Sequence, residues 1–152
     1  MINKNIVIEN AKIMFRNFSG EEKRFNPVGR RNFCVFLETD LGKVLEEDGW
    51  NIKWLDPRDE DEDGERQPYM QVAVSFDHIP PKIVLISGTV NTLLDDDTID
   101  VLDNAEIANV DLIIRPYNWE VNGNKGVKAY VKSMYVTLED DEFSEKYDDL
   151  PF

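Results

Sequence analysis

The chain has one cysteine, one histidine, and 17 Lys and Arg residues against 31 acids. Each scarcity excludes something. Cys34 alone cannot build an internal disulfide framework, and a lone thiol fits a reducing compartment. With His78 as the sole histidine, His-based acid–base pairs and multi-His metal sites are excluded. No apolar run approaches the ~18 residues that span a bilayer. Met1-Ile2-Asn3-Lys4-Asn5 lacks the long apolar core of a signal peptide. A cytoplasmic protein without a membrane partner is expected. G-x-S-x-G, P-loop and Rossmann fingerprints are all missing, so neither an enzyme nor a cofactor is expected.

The net charge of −14 argues against a phosphate-rich partner, but its distribution answers the objection. Residues 1–35 hold seven cations (Lys4, Lys12, Arg16, Lys23, Arg24, Arg30, Arg31) against three Glu, a net of +4. Residues 56–66 hold seven acids against Arg58 and Arg66, a net of −5. Residues 139–152 hold seven acids against Lys146, a net of −6. Such segregation gives a basic face with acidic appendages.

Short β-branched and aromatic runs dominate the chain. Strands are expected over Asn5–Phe15, Arg31–Glu38, Trp50–Leu55, Tyr69–Phe76, Lys82–Ser87, Asp111–Val121 and Gly126–Leu138. A helix is expected over Asp40–Asp48, with Asp40 as N-cap and Gly49 as stop. A second helical turn is expected within Leu94–Asn104. The expected fold class is all-β with one short helix, a small Greek-key β-barrel of the OB-fold type. It would occupy residues 1–138, followed by an acidic tail over 139–152.

The last hairpin carries the strongest site signal. Asp111–Val121 places Arg115, Tyr117 and Trp119 on one side and Leu112 and Ile114 on the other. In the returning strand Lys128, Tyr130 and Lys132 alternate with Val127, Ala129 and Val131. Asn122-Gly123-Asn124-Lys125 has hairpin-turn chemistry. A two-residue loop (Asn122-Gly123 or Gly123-Asn124) sets Tyr117 opposite Lys128 or Tyr130, and either register collects three aromatics and three cations on one face. Single-strand binders need this mixture, with rings for bases at ~1–3 kcal/mol each and cations for phosphates. Arg16, Lys23, Arg24, Arg30 and Arg31 lie in or beside the first inter-strand loop, with Phe18 and Phe25, which can stack on bases or staple the loop. Trp50 and Trp54 share parity with Ile52 and are assigned to the core.

Two acidic clusters imitate chemistry. Asp59-Glu60-Asp61-Glu62-Asp63-Gly64 opens like an EF-hand loop, but Met70 stands where a bidentate Glu is required and Pro68 interrupts it. Asp95-Asp96-Asp97 is contiguous, whereas metal nucleases draw their acids from separate strands. Cys34 alternates with Phe36 as a small packing residue. No metal is expected.

The final five residues, Asp148-Asp149-Leu150-Pro151-Phe152, combine an acidic pair, a stiff proline and a terminal aromatic carboxylate, which together make a compact docking peptide. This ending resembles the C-terminal tip of bacterial single-stranded DNA-binding proteins, which finish in Asp-Asp-(Ile/Leu)-Pro-Phe. The run Phe25-Asn26-Pro27-Val28-Gly29-Arg30-Arg31-Asn32-Phe33-Cys34-Val35-Phe36-Leu37 resembles their first loop and second strand. The whole chain most resembles a bacteriophage or prophage single-stranded DNA-binding protein. The resemblance implies an OB-fold that coats single-stranded DNA without sequence preference in replication, recombination or repair. It also implies a tip that recruits partner proteins through Asp148, Asp149, Leu150, Pro151 and Phe152. Only Glu139–Tyr147 precedes that tip, where bacterial relatives carry a long linker, and the acidic loop Asp56–Gln67 has no bacterial counterpart. Their tetramer is therefore not carried over, and a homo-oligomer stays open. The expected DNA-binding residues are Arg16, Arg24, Phe25, Arg30, Arg31, Arg115, Tyr117, Trp119, Lys125, Lys128, Tyr130 and Lys132. The competing expectations are an RNA-binding OB module and a β-rich phage assembly or adaptor protein.

Overall fold

The computed structural model describes residues 4–22, 29–57, 64–77 and 79–139. Nine strands and one helix follow in the order β1 (Ile6–Ile8), β2 (Ile13–Asn17), β3 (Arg31–Phe36), α1 (Thr39–Glu47), β4 (Ile52–Leu55), β5 (Gln67–Val74), β6 (Lys82–Ser87), β7 (Val90–Leu94), β8 (Ile107–Val121) and β9 (Asn124–Leu138). A 3-10 turn, Ile99–Asp103, separates β7 from β8.

Hydrogen-bonded neighbours run β1-β8-β9-β5-β3-β2. All these contacts are antiparallel except β5 with β9, which meet in parallel at Ala73 and Tyr130. β1 and β2 stand at the two ends of this path, and the short corner Glu9–Lys12 joins them. Asn10 takes a positive φ of 50° there, and its N–H donates to Asp111 Oδ1 at 3.0 Å. The expected first strand Asn5–Phe15 is thus two strands, because its halves pair with β8 and β3 respectively. The result is an OB-fold, an open Greek-key sheet curled until one bent strand links its edges.

The core is built from alternating positions: Met70, Val72 and Val74 on β5, Val110, Leu112 and Ile114 on β8, and Val127, Ala129 and Val131 on β9. Phe18 does not face solvent. It is fully buried and stacked on Phe33 with ring centroids 5.3 Å apart, so it staples the loop. A β-bulge between Val131 and Ser133 leaves Lys132 unpaired. Burial in β9 therefore switches from odd to even positions, and Met134 and Val136 turn inward. Without that extra residue both would face out.

The helix starts one residue before the expected Asp40 N-cap: Glu38 is the cap and Asp40 lies in the first turn, where its charge favours the dipole. Its end is a Schellman motif. Gly49 N–H donates to Glu46 O at 3.1 Å and Trp50 N–H to Leu45 O at 3.0 Å. β7 was not anticipated from the sequence. Val90–Leu94 lies exposed apart from Leu94 and exists through its pairing with β6. β8 begins at Ile107 rather than Asp111, because Ile107–Val110 already pairs with β9.

Candidate nucleic-acid interface

The Asn122-Gly123 turn closes β8 onto β9 with φ of 51° and 81°, the double positive of a type I′ hairpin. Of the two registers open in the sequence, the observed one sets Tyr117 opposite Lys128, Arg115 opposite Tyr130 and Trp119 opposite Gly126. Tyr130 is the hub. Arg115 Cζ lies 4.7 Å and Lys128 Nζ 5.0 Å from its ring centre, and Tyr117 meets it edge-on at 6.0 Å. Trp119 packs against Gly126, where an added Cβ would come within 2.8 Å of the indole. Trp119 keeps 39% of its surface exposed and Tyr117 52%.

The base of this hairpin is fixed twice. Val127 N–H donates to Gly49 O at 3.0 Å, tying it to the end of α1. The Ala73–Tyr130 bridge ties it to β5. Between these anchors and the start of β3 opens a cleft of about 850 Å³. Arg30, Arg31, Lys125 and Lys128 supply its cations, and Trp119, Tyr130 and Phe76 its aromatic surface. Asn32, Asn51, Gln71 and Ser75 add polar groups; Glu46 and Asp77 bring the opposite charge. Glu46 is partly committed, since Oε2 accepts the Trp54 Nε1–H at 2.8 Å.

The two described ends of the first loop meet in a narrow neck beside the cleft. Gly29 N–H donates to Gly20 O at 2.8 Å, and both residues have positive φ. A Cβ on Gly20 would come within 3.3 Å of the Gly29 backbone, so glycine permits the close approach. The loop's leading end is tied down by Asp103, whose carboxylate accepts the Phe18 and Ser19 N–H groups at 2.6 and 3.0 Å.

Among the expected residues, Arg30, Arg31, Trp119, Lys125, Lys128 and Tyr130 share the cleft. Arg115 and Tyr117 pack on the far side of Tyr130, and Lys132 is exposed at the bulge. Arg31 is also engaged at the end of the barrel: Nη2 donates to Asp96 O at 3.1 Å and Cζ lies 5.8 Å from the Phe76 ring. Arg16 is placed elsewhere. Half-buried, it donates through Nη1 to the carbonyls of Leu102 and Ala105 at 2.9 and 2.7 Å, bracing β2 against the 3-10 turn. Arg24, Phe25 and Asp148–Phe152 lie outside the described residues, as does most of the acidic run that opens like an EF-hand.

Sequence reasoning missed Phe76, Gln71 and Asn51 as cleft residues. Gln71 did carry a signal, as an exposed polar position alternating with buried Met70 and Val72. Trp50 is core as expected, at 3% exposure, yet its edge also lines the cleft. Asp95, Asp96 and Asp97 hold carboxylate oxygens within 4.8 Å of one another, all exposed. Asp95 Oδ1 accepts the N–H groups of Asp97 and Thr98 at 3.0 and 3.1 Å, so its role is to close the turn into Ile99–Asp103. Cys34 is buried, and burial raises its thiol pKa. None of the described helices is long and apolar enough to cross a membrane.

A groove bounded by the first inter-strand loop, the outer face of the strands that follow it and the last hairpin is where OB-folds hold oligonucleotides or oligosaccharides. Fold and groove together define an OB-type domain with an open cleft lined by both cations and aromatic rings. The chain belongs to the family described as "Putative phage ssDNA-binding domain", whose model matches residues 1–152. No protein of curated function matches it in sequence. Its fold is similar to that of the single-stranded DNA-binding protein from bacteriophage Enc34 in complex with ssDNA, with a TM-score of 0.56 at 13% identity over 91% of this chain and 89% of that one. A second structure of the bacteriophage Enc34 single-stranded DNA-binding protein gives 0.53 at 15% identity, over 95% and 90% of the two chains.

Proposed function

We propose that this protein coats single-stranded DNA without sequence preference during phage replication or recombination, holding the strand in the cleft between the first loop and the last hairpin. The observation that carries this is the joint presence of Trp119, Tyr130, Lys125 and Lys128 on one wall and Arg30 and Arg31 on the other. Trp119 and Tyr130 stack bases in the cleft, Tyr117 stacks one beside Tyr130, and the cleft's four cations meet phosphates. Family membership supports single-stranded DNA as the ligand.

The tip Asp148–Phe152 recruits replication, recombination or repair proteins, and its acidic stretch competes with DNA for the protein's own basic cleft. Support for this comes from the residue chemistry of the tip and from the net charge of −6 over residues 139–152.

Titrating oligo-dT while following tryptophan emission tests the reading. Quenching is expected, with log K falling against log salt at a slope near −3, since four cations contribute about 0.7 each on a single strand. Trp119→Phe removes most of the quenching. No response up to high oligonucleotide concentration refutes DNA binding, and stronger binding to a matched RNA redirects the assignment to a 2′-OH reader. Deleting residues 148–152 tightens DNA binding at low salt; unchanged affinity refutes self-competition.

A further inference from the structure

Beyond Tyr130 the outer face of β9 continues toward β6 and carries a second set of cations and rings. The bulge at Lys132 places that side chain, with Ser133, on the outer face. Lys82, at the start of β6, stands in register beside Ser133. Its Nζ lies 5.8 Å from the ring centre of Tyr135. Tyr135 is therefore on the same face as Tyr130, roughly 13 Å further along the strand at ~3.3 Å per residue with the bulge discounted.

The charge state of this face is unusual for the molecule. The chain carries 31 acids against 17 bases, yet Arg115, Lys128, Lys132 and Lys82 make no ion pair among the described residues. Three of the four rest on tyrosine rings instead. Arg115 Nε is buried without a hydrogen-bond partner. Asp111 shares this face opposite Tyr135, and its Oδ1 accepts the Asn10 N–H. Cations on rings, in line and without an ion pair among the described residues, are suited to an anionic polymer with flat bases.

We infer that Lys82, Lys132 and Tyr135 form a second DNA subsite, reached when the strand leaves the cleft past Tyr130 and crosses the outer face of β9 toward β6. This rests on the proposed single-stranded DNA binding and extends it from a cleft to a two-part track. A short oligonucleotide fills the cleft alone; a longer one also engages the outer face and gains affinity and salt dependence.

The experiment compares a short oligo-dT that fills the cleft with one about three times as long, for the full chain and for Lys82→Gln, Tyr135→Leu and Lys82→Arg. The wild type is expected to bind the longer oligonucleotide with a salt slope steeper by about 1.4, for two further cations at about 0.7 each. Lys82→Gln is expected to take about 0.7 from that slope on the long oligonucleotide only, and Lys82→Arg to restore it. Tyr135→Leu weakens long-oligonucleotide binding at least about fivefold, the lower end of one lost stacking partner, and leaves the short one unchanged.

Equal effects of the variants on both lengths overturn a separate subsite, as does no effect on either. If Lys82→Gln and Tyr135→Leu leave both affinities intact but alter self-association by sedimentation, the face contacts protein and the inference fails. Failure of the wild type to bind either oligonucleotide is a different result, since it removes the DNA reading beneath the inference.

Discussion

Gly126→Ala isolates the role of Trp119 without removing the ring. On the existing backbone the new Cβ would lie 2.8 Å from Cζ2, 3.0 Å from Cε2 and 3.1 Å from Nε1 of the indole. Carbon–carbon contacts relax at about 3.5–4.0 Å, so the ring must retreat by at least ~0.7 Å. The backbone does not oppose the change, because Gly126 is not among the positive-φ glycines. Alanine in a strand interior gains about 0.5–1 kcal/mol over glycine, which offsets much of the contact. Stability should therefore move by less than about 1 kcal/mol, or about 3 °C in Tm for a chain of this size. Binding should change more. A displaced platform that forfeits half of a stack worth ~1–3 kcal/mol weakens Kd about two- to twelvefold. Tryptophan emission, thermal melting and an oligo-dT titration measure the three quantities on one sample. A shifted emission with unaltered affinity refutes Trp119 as a stacking surface. An unshifted emission refutes the packing of the indole on Gly126.

Two further perturbations probe residues whose chemistry is directed inward. Arg16→Ala removes charged hydrogen bonds to Leu102 O and Ala105 O; discounted for partial exposure, the cost is about 2 kcal/mol, or about 4–8 °C in Tm. The salt slope of DNA binding should stay unchanged, and a shallower slope with unaltered Tm would assign Arg16 to phosphate instead. Cys34 has a thiol pKa raised from 9.0 by burial, with Lys53 opposing the shift. The unfolded chain thus loses this proton first, so the stabilisation is fully present below pH 9.0 and is lost as pH rises through the folded value. Melting from pH 8 to 10.5 should show Cys34→Ala losing less stability than the wild type, and parallel curves would refute the assignment.

The last hairpin was legible in the sequence because its signals are local. Period-2 alternation and an Asn-Gly turn left two registers, and both gave the same outward face. The bulge at Lys132 was not legible. Nothing local marks it, and it is enforced by the need to bury Met134 and Val136 against the rest of the barrel. β7 was invisible for a related reason, since Val-Asn-Thr-Leu-Leu is mostly exposed and owes its strand geometry to β6. In the site, the hairpin wall could be read from residue types. The opposite wall depends on the start of β3 and the end of β5, and β5 meets the hairpin through a parallel bridge between Ala73 and Tyr130, residues far apart in sequence. The hydrogen bonds of Arg16 were not legible, because its partners are 86 and 89 residues away in the chain.

The bent first strand also sets a timetable. Ile6 pairs with Ile114, and Ala73 with Tyr130, so the sheet cannot close until nearly the whole domain has left the ribosome. Contacts this distant in sequence belong to slow-folding topologies, on the millisecond-to-second scale. One wall of the cleft is synthesised with Arg30 and Arg31, the other some ninety residues later with Lys125 and Lys128. A nascent chain thus exposes Arg30 and Arg31 long before it has a groove, and on the proposed reading it can hold DNA there only once the last strand docks.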